Sequence, residues 1–306
     1  MIIYLGDKMN LQKVYFQSED GVELCGLLHE PYNKTEEIII AVHGMQSNCM
    51  KKRDDILAQE ITKNNISYFC FNNRGHDLIN SITKRYNGKT DKILSGSSLE
   101  CVQDGYYDIK TAILKMLEKG YKKIHLQGHS LGCTKIVYTY IKMKSQNEIE
   151  LLSKIKSIML LSMVDVPVAI NFFFQNDIYK LISDMEKEQK EGNGKKVMLI
   201  EGATFPMCPD TFLNFAKNNK DIDFARYGDE LFDFKELNKI EVPIFMRWGN
   251  KNELIMQEAD KLVEMMRNKI KNKECDIGYI DGAGHNYKGK EIELASQIID
   301  FLINKS

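Results

Sequence analysis

The chain has 306 residues, and its 42 lysines and arginines nearly balance its 43 aspartates and glutamates. A formal net charge of -1 gives no overall field that would attract nucleic acid or an anionic membrane surface, so the composition argues against both as partners. A chain of this length can form one large domain that carries an inserted subdomain.

The cysteines and the first residues of the chain favour a cytoplasmic protein. The 7 cysteines are odd in number and widely spaced, and no two form a Cys-x-x-Cys pair, which is typical of reduced thiols rather than of disulfides or zinc ligands. The first ten residues lack the basic leader and the apolar run of a signal peptide. The sequence contains no stretch of about 18 apolar residues, so no membrane span is predicted.

The first predicted elements are two strands with alternating apolar residues, at 11–17 and 22–29. The connection at 18–21 contains an Asp-Gly pair, which is typical of a β-hairpin. Short, continuously apolar runs bounded by turn residues follow, and these predict parallel strands covered on both faces. The runs are 38–42, 68–71, 124–127, 158–161, 244–246 and 277–280.

Two segments between and after these runs have the apolar spacing of amphipathic helices, at steps of three and four residues. The spaced residues are Val102, Tyr106, Ile109, Ile113 and Met116 in the first segment and Ala295, Ile298, Ile299 and Leu302 in the second. The alternation of strands and helices predicts an α/β protein with a mostly parallel, doubly wound sheet and an antiparallel start.

Residues 166–237 do not fit this alternation. About 70 residues separate two predicted strands there, whereas a crossover needs only about a dozen, so we expect an inserted cap. The cap's aromatic residues have two possible roles: they form its own small core, or some of them line an apolar pocket over the sheet edge. Nine of the chain's 14 phenylalanines lie in this segment: Phe172, Phe173, Phe174, Phe205, Phe212, Phe215, Phe224, Phe232 and Phe234.

The strongest chemical signal is Gly-His-Ser-Leu-Gly at 128–132, directly after a predicted strand and before a helical run. A strand-to-helix turn this tight strains the backbone at Ser130, and the flanking glycines leave room for the chain to pass itself. The hydroxyl of Ser130 is then exposed at the carboxyl edge of the sheet, next to the positive end of the following helix. We therefore predict that Ser130 is a nucleophile.

A serine nucleophile needs a histidine base, and His285 is the only histidine after Ser130. It lies between the last predicted strand and the last predicted helix, on a loop that can reach the same sheet edge. His29, His125 and His129 are predicted to be structural or to lie behind the site.

Backbone N–H groups are the predicted donors to a developing oxyanion. The run that ends at Val42 continues into His43 and Gly44, and the loop after this strand lies beside the nucleophile turn. Met45, or alternatively Gln46, supplies one donor in this interpretation, and Leu131 supplies the other.

At this point the chain resembles the α/β-hydrolase superfamily in its serine-esterase branch. The resemblance covers nearly the whole chain. It rests on the His43-Gly44 loop, the Asn-Asn-Arg-Gly-His segment at 72–76, the turn at 128–132 and the Gly-Ala-Gly-His sequence that ends at His285. The order serine, acid, histidine is also that of the fold.

The resemblance implies an α/β-hydrolase fold and ester hydrolysis by a serine–histidine–acid triad without a cofactor. Segments 71–77 and 160–167 are similar to those of a poorly characterised branch of bacterial and fungal hydrolases. That similarity does not indicate a substrate.

The chain departs from the family at the acid. The family usually has an aspartate three residues beyond a glycine after the seventh strand, and Asn252 stands at that position. An amide cannot stabilise an imidazolium as a carboxylate does. Glu253, one residue further on, and Asp165, after the preceding strand, are the other candidates. A serine–histidine pair without an acid is the remaining alternative.

The main functional hypothesis is a serine hydrolase that cleaves a small-molecule carboxylic ester with an apolar or aromatic portion. We expect no cofactor and no metal, because the chain has no dinucleotide fingerprint, P-loop, His-Glu-x-x-His motif or acidic calcium loop. An acyltransferase or thioesterase using the same serine is one alternative. A non-catalytic ligand-binding protein is another, and Asn252 is its main support. The sequence does not indicate an oligomeric state.

Overall fold

The computed structural model describes residues 2–4, 9–174, 177–217, 222–255 and 257–305. Strands and helices alternate along these residues. The strands are β1 (Ile2–Tyr4), β2 (Met9–Gln17), β3 (Glu23–Pro31), β4 (Glu37–Val42), β5 (Ser67–Asn72), β6 (Asn80–Tyr86), β7 (Lys89–Ser95), β8 (Lys123–His129), β9 (Ile155–Leu161), β10 (Ile244–Gly249) and β11 (Cys275–Ile280). The helices are α1 (Lys52–Thr62), α2 (Gly105–Glu118), α3 (Leu131–Ser145), α4 (Ile149–Lys154), α5 (Val166–Phe174), α6 (Ile178–Glu188), α7 (Pro209–Ala216), α8 (Ala259–Lys269) and α9 (Glu291–Lys305).

Within the described residues, nine strands form one sheet in the order β1-β2-β3-β5-β4-β8-β9-β10-β11. The first three strands pair antiparallel with their neighbours, and β3 also pairs antiparallel with β5. From β5 to β11 every pairing is parallel. The predicted fold class, a mostly parallel sheet with an antiparallel hairpin at its start, is confirmed.

Helices cover both faces of the sheet, and β4 shows why its sequence is apolar without interruption. Ile38 and Ile40 point to the face covered by α2, α3 and α8, whereas Ile39 and Ala41 point to the face covered by α1 and α9. Successive side chains of a strand alternate between the faces, so a strand buried on both sides needs an apolar residue at every position.

The separate two-stranded hairpin of β6 and β7 was not predicted from the sequence. Asn87 and Gly88 connect these strands, with φ angles of 49° and 75°. Two central residues with positive φ are what a type I′ turn requires, and Asn-Gly is its preferred sequence. The signal was therefore present in the chain.

The segment predicted to be a cap contains α5, α6 and α7, and its phenylalanines divide between two places. Phe174 and Phe212 are buried in a cluster formed mainly by α5, α6 and α7, with ring centroids 5.0 Å apart. Phe224 and Phe234 instead belong to the main core beside the sheet, where Phe234 packs near Tyr227. The part of the segment that lies over the sheet edge is therefore the part before the undescribed residues 218–221.

Among the described helices, none has both the length and the apolar character needed to cross a membrane.

The packing of α9 generates a stability prediction. Ile298 is fully buried against the sheet, whereas Ile303 on the same helix is 62% exposed. We expect Ile298→Ala to lower the free energy of unfolding by about 2–5 kcal/mol, because it removes buried methyl groups and leaves a cavity. The matched control, Ile303→Ala, is expected to change it by no more than about 0.5 kcal/mol. Urea denaturation monitored by circular dichroism measures both, and equal losses would contradict the packing of α9.

Candidate active site

Ser130 lies on the turn between β8 and α3, where its backbone has φ 55° and ψ -125°. This left-handed region is unfavourable for a residue with a side chain, and it is stable only where the surroundings impose it. The constraint is visible at Gly132, where a Cβ atom would lie 2.2 Å from the carbonyl oxygen of Val42. Only glycine lets the start of α3 pack this closely against the end of β4.

The β4 loop, residues 43–51, lies against the nucleophile turn. A Cβ atom at Gly44 would lie 2.9 Å from Cβ of Ser130, so the two backbones are in close contact. Gly44, Met45 and Leu131 line the same cavity as Ser130. Leu131 is the first residue of α3, and such an N–H group has no acceptor within its own helix. The proposed oxyanion donors, Met45 and Leu131, thus border the cavity that Ser130 faces, and their role remains a prediction.

His285 and Glu253 are in direct contact. Nδ1 of His285 lies 2.7 Å from Oε2 of Glu253, whose side chain is 2% exposed. The other carboxylate oxygen accepts hydrogen bonds from the Gly249 N–H at 2.8 Å and from Oγ of Ser162 at 2.5 Å. With Nδ1–H donated to Glu253, the lone pair of Nε2 is free to accept a proton. His285 also lines the cavity with Ser130.

The other two acid candidates lie elsewhere. Asn252 is exposed on the loop after β10, and its own backbone φ angle is 52°. Asp165 is buried at the start of α5, where its Oδ1 accepts the Val168 N–H at 3.2 Å. Burial raises the pKa of Asp165 to about 6. Of the three residues considered from the sequence, Glu253 is therefore the one that the structure brings to His285.

The backbone carbonyl of His285 is held by His129, and Ser162 lies close to it. Nε2 of His129 donates to the carbonyl oxygen of His285 at 2.7 Å, and Oγ of Ser162 lies 3.1 Å from the same oxygen. Burial lowers the pKa of His129 well below its usual value, so this imidazole is neutral. Sequence reasoning missed Ser162, although its place at the carboxyl end of β9 is where site residues of parallel sheets occur.

The cavity has a volume of about 180 Å³ and is lined by both polar and apolar residues. The loops at the carboxyl edge of the sheet supply Ser130 and His285. Among the described residues that line the cavity, none is Asp, Glu, Lys or Arg. The apolar lining residues are Met45, Leu131, Val164, Val166, Ala169, Ile170, Phe173, Phe215 and Leu254. In the described part of the chain, no cluster of three or more His, Cys, Asp or Glu could hold a metal ion.

A second serine–histidine–carboxylate contact crosses β4, β8 and β9 away from this cavity. Oγ of Ser157 lies 2.7 Å from Nδ1 of His125, and Nε2 of His125 lies 2.8 Å from Oε1 of Glu37. Ser157 is only 2% exposed, sits within a regular strand and is not among the cavity residues. We interpret this set as a buried network that joins three strands.

Comparison with protein families matches residues 86–304 to a model described as "Protein of unknown function (DUF1749)". No curated protein matches the chain. The structure of the chain is similar to many solved structures.

One similar structure is Est1E from Butyrivibrio proteoclasticus, solved with ferulic acid bound, at 15% identity, TM-score 0.64 and coverage of 95% of this chain and 98% of that chain. A second is a thermostable carboxyl esterase from Bacillus coagulans, at 13% identity, TM-score 0.66 and coverage of 96% and 98%. A third is the Pyrococcus furiosus esterase Pf2001, at 17% identity, TM-score 0.58 and coverage of 96% and 91%. At these identities the likeness concerns the fold, and it confirms the α/β-hydrolase architecture that the sequence resemblance implied.

The contact between Glu253 and His285 predicts how Ser130 reacts with a fluorophosphonate probe. Glu253→Gln keeps the shape of the side chain but removes the charge that stabilises a protonated His285. We expect the labelling rate to fall by about 10³- to 10⁴-fold, as when a triad carboxylate becomes an amide. The matched control is Asn252→Gly, because glycine readily adopts the positive φ of this position. This variant is expected to be labelled at the wild-type rate. Equal rates for wild type and Glu253→Gln would contradict the role of Glu253.

The raised pKa of Asp165 predicts a pH-dependent stability. Its carboxyl ionises near pH 3.8 when unfolded and at about 6 when folded, so its contribution to stability is complete below pH 3.8 and is lost as the pH rises through 6. Relative to wild type, Asp165→Asn should therefore gain stability between pH 4 and pH 7, by up to about 3 kcal/mol. Urea denaturation across this range measures the difference. Asp177→Asn, at the exposed start of α6, is the control, and parallel curves for Asp165→Asn and wild type would contradict the prediction.

Proposed function

We propose a function for this chain, which belongs to the DUF1749 family of proteins of unknown function: it is a serine hydrolase that cleaves carboxylic esters. The observation that carries the proposal is the 2.7 Å contact between Nδ1 of His285 and the carboxylate of Glu253. His285 lines the same cavity as Ser130, whose φ is positive. A base held by a carboxylate at the same cavity as a partly exposed serine is the arrangement that activates a hydroxyl nucleophile.

The proposed reaction begins when Nε2 of His285 takes the proton of Ser130 and Oγ attacks the ester carbonyl. The backbone N–H groups of Met45 and Leu131 stabilise the oxyanion, and Glu253 stabilises the imidazolium. His285 then gives the proton to the departing alcohol, which leaves an acyl group on Ser130. Water, deprotonated by His285, attacks this acyl-enzyme and releases the carboxylic acid.

The cavity supports an uncharged substrate with an apolar portion. None of the described residues in its lining is Asp, Glu, Lys or Arg, and Phe173 and Phe215 form part of its wall. Each buried methylene contributes only about 0.8 kcal/mol, so we expect weak discrimination between neighbouring chain lengths. Since the similar Butyrivibrio protein binds ferulic acid, esters of aromatic acids belong in the substrate panel.

The hypothesis of a non-catalytic binding protein loses its main support. That hypothesis rested on an amide at residue 252 where the family has its acid. Glu253 supplies a carboxylate to His285 from the next residue, so the substitution at 252 does not leave the histidine without a partner.

A cytoplasmic location is part of the proposal. All seven cysteines lie in the described residues, and none of them is in a disulfide. Reduced thiols in this number suit a reducing compartment.

A panel of p-nitrophenyl esters tests the proposed function. Wild type is expected to hydrolyse short aliphatic and aromatic members, and Ser130→Ala to lose at least about 10³-fold in kcat, because no other group forms the acyl-enzyme. The matched control is Ser157→Ala, which removes the serine of the buried network and should retain kcat within about threefold, since Ser157 lies away from the cavity. Equal turnover by wild type and Ser130→Ala would refute the proposal. Product that forms on added alcohol or thiol instead of water would indicate an acyltransferase.

A further inference from the structure

The helix that follows Ser130 carries a buried lysine. Nζ of Lys135 lies 2.6 Å from Oε2 of Glu100, and the side chains of both residues are 1% exposed. Removing two charges from water is costly, and an apolar pair of similar volume often gives equal or greater stability. The presence of this ion pair therefore invites an explanation other than stability.

Gly75 makes the ion pair possible. A Cβ atom at this position would lie 1.8 Å from Oε2 of Glu100, the same oxygen that contacts Lys135. The Glu100 carboxylate can occupy its place only because residue 75 has no side chain. The ion pair is thus built against the backbone of the β5 loop, residues 73–79.

Lys135 also bonds this loop directly. Its Nζ donates to Oδ1 of Asn73 at 3.2 Å, and the same oxygen accepts the Gly75 N–H at 3.0 Å. Helix α3 is therefore tied to the β5 loop by an ammonium group that contacts both a carboxylate and an amide.

The β5 loop and the end of β5 are in turn bonded to the β4 loop. The Cys49 N–H donates to Oδ1 of Asn72 at 2.8 Å, and the Asp77 N–H donates to the carbonyl oxygen of Ser47 at 2.8 Å. A continuous set of hydrogen bonds and covalent bonds thus runs from α3, through the β5 loop, to the loop that contains Met45.

We propose that Lys135 is a positioning residue for the oxyanion site. Leu131, one proposed donor, lies on the same helix as Lys135, and Met45, the other donor, lies on the β4 loop. Through Asn73 and Glu100, Lys135 fixes the two donor-bearing segments relative to each other. This inference rests on the proposed function, because it assigns Lys135 a role in the geometry around the substrate carbonyl.

Small displacements are sufficient for this role to affect the rate. Oxyanion donors act when they lie about 2.7–3.1 Å from the developing charge, and a misplacement of about 1 Å can cost 10²-fold in rate. Loss of a positioning residue should affect the transition state, in which the oxyanion exists, far more than substrate binding.

The experiment removes the whole ion pair, because Lys135→Met alone leaves an unpaired buried carboxylate, which is strongly destabilising. The double variant Lys135→Met with Glu100→Met keeps an apolar pair of similar volume. We expect a folded protein whose kcat is lower by about 10- to 100-fold while KM changes by less than about threefold. Its affinity for a trifluoromethyl ketone, which forms a tetrahedral adduct with the serine, should fall by the same factor as kcat.

Two further variants make the result decisive. Lys144→Met with Glu241→Met removes an exposed ion pair of the same helix and is expected to keep the wild-type kcat. Asn73→Ala breaks the bond between Lys135 and the β5 loop without removing a charge, and it should reproduce the fall in kcat. It decides the question if the first double variant does not fold.

The outcomes separate this inference from the proposed function. If wild type is active and the folded Lys135 or Asn73 variants keep its kcat and inhibitor affinity, the ion pair is only structural and the inference is overturned. If their unfolding midpoint falls but the kcat of the folded protein does not, the conclusion is the same. If wild type hydrolyses no ester, it is the proposed function that fails.

Discussion

Ser130 adopts a backbone conformation that costs about 1–3 kcal/mol for a residue with a side chain, so something outside the turn must impose it. The constraint is the contact between the turn and the end of β4, where Gly44 and Gly132 let two backbone segments meet within van der Waals distance. Parallel pairing of β4 with β8 sets the height of both loops at the carboxyl edge. The serine, the β4 loop and the first turn of α3 therefore share one rigid support, and the geometry of the cavity follows from it.

The carboxylate opposite this support reaches His285 from an unusual position for the fold. Glu253 is one residue later than the expected acid, and its side chain is one methylene longer. An additional rotatable bond adds conformational entropy that must be lost on ordering. Hydrogen bonds from Ser162 and from the Gly249 backbone to Oε1 hold the carboxylate in place. These bonds order the Glu253 side chain independently of the contact between Oε2 and His285. The same Ser162 hydroxyl also lies 3.1 Å from the carbonyl oxygen of His285, so it contacts both Glu253 and the backbone of the histidine.

Local patterns were sufficient for β2 to β5, β8 to β11, the two periodic helices and the fold class, because apolar runs and their spacing determine which residues can be buried on a sheet. The Asn-Gly signal at Asn87 is equally local, and the hairpin it forms was simply not predicted. The acid could not be chosen from the sequence, since spacing does not say whether residue 165, 252 or 253 reaches the histidine loop. Ser162 and Glu253 meet across 91 residues of sequence, and the pair of Lys135 and Glu100 depends on the missing side chain of Gly75. Contacts of this kind depend on how loops from different strands pack, which no local pattern encodes.

Part of the cavity wall comes from a different stretch of the chain than Ser130 and His285. Ser130 and His285 lie on loops anchored in the sheet, whereas Val166, Ala169, Ile170, Phe173 and Phe215 come from α5 and α7 of the segment predicted to be a cap. Substitutions in those helices can reshape the apolar wall without disturbing the ladder of strands or the contact between His285 and Glu253. Libraries of variants confined to these two helices are therefore a direct route to changing which molecules the cavity admits.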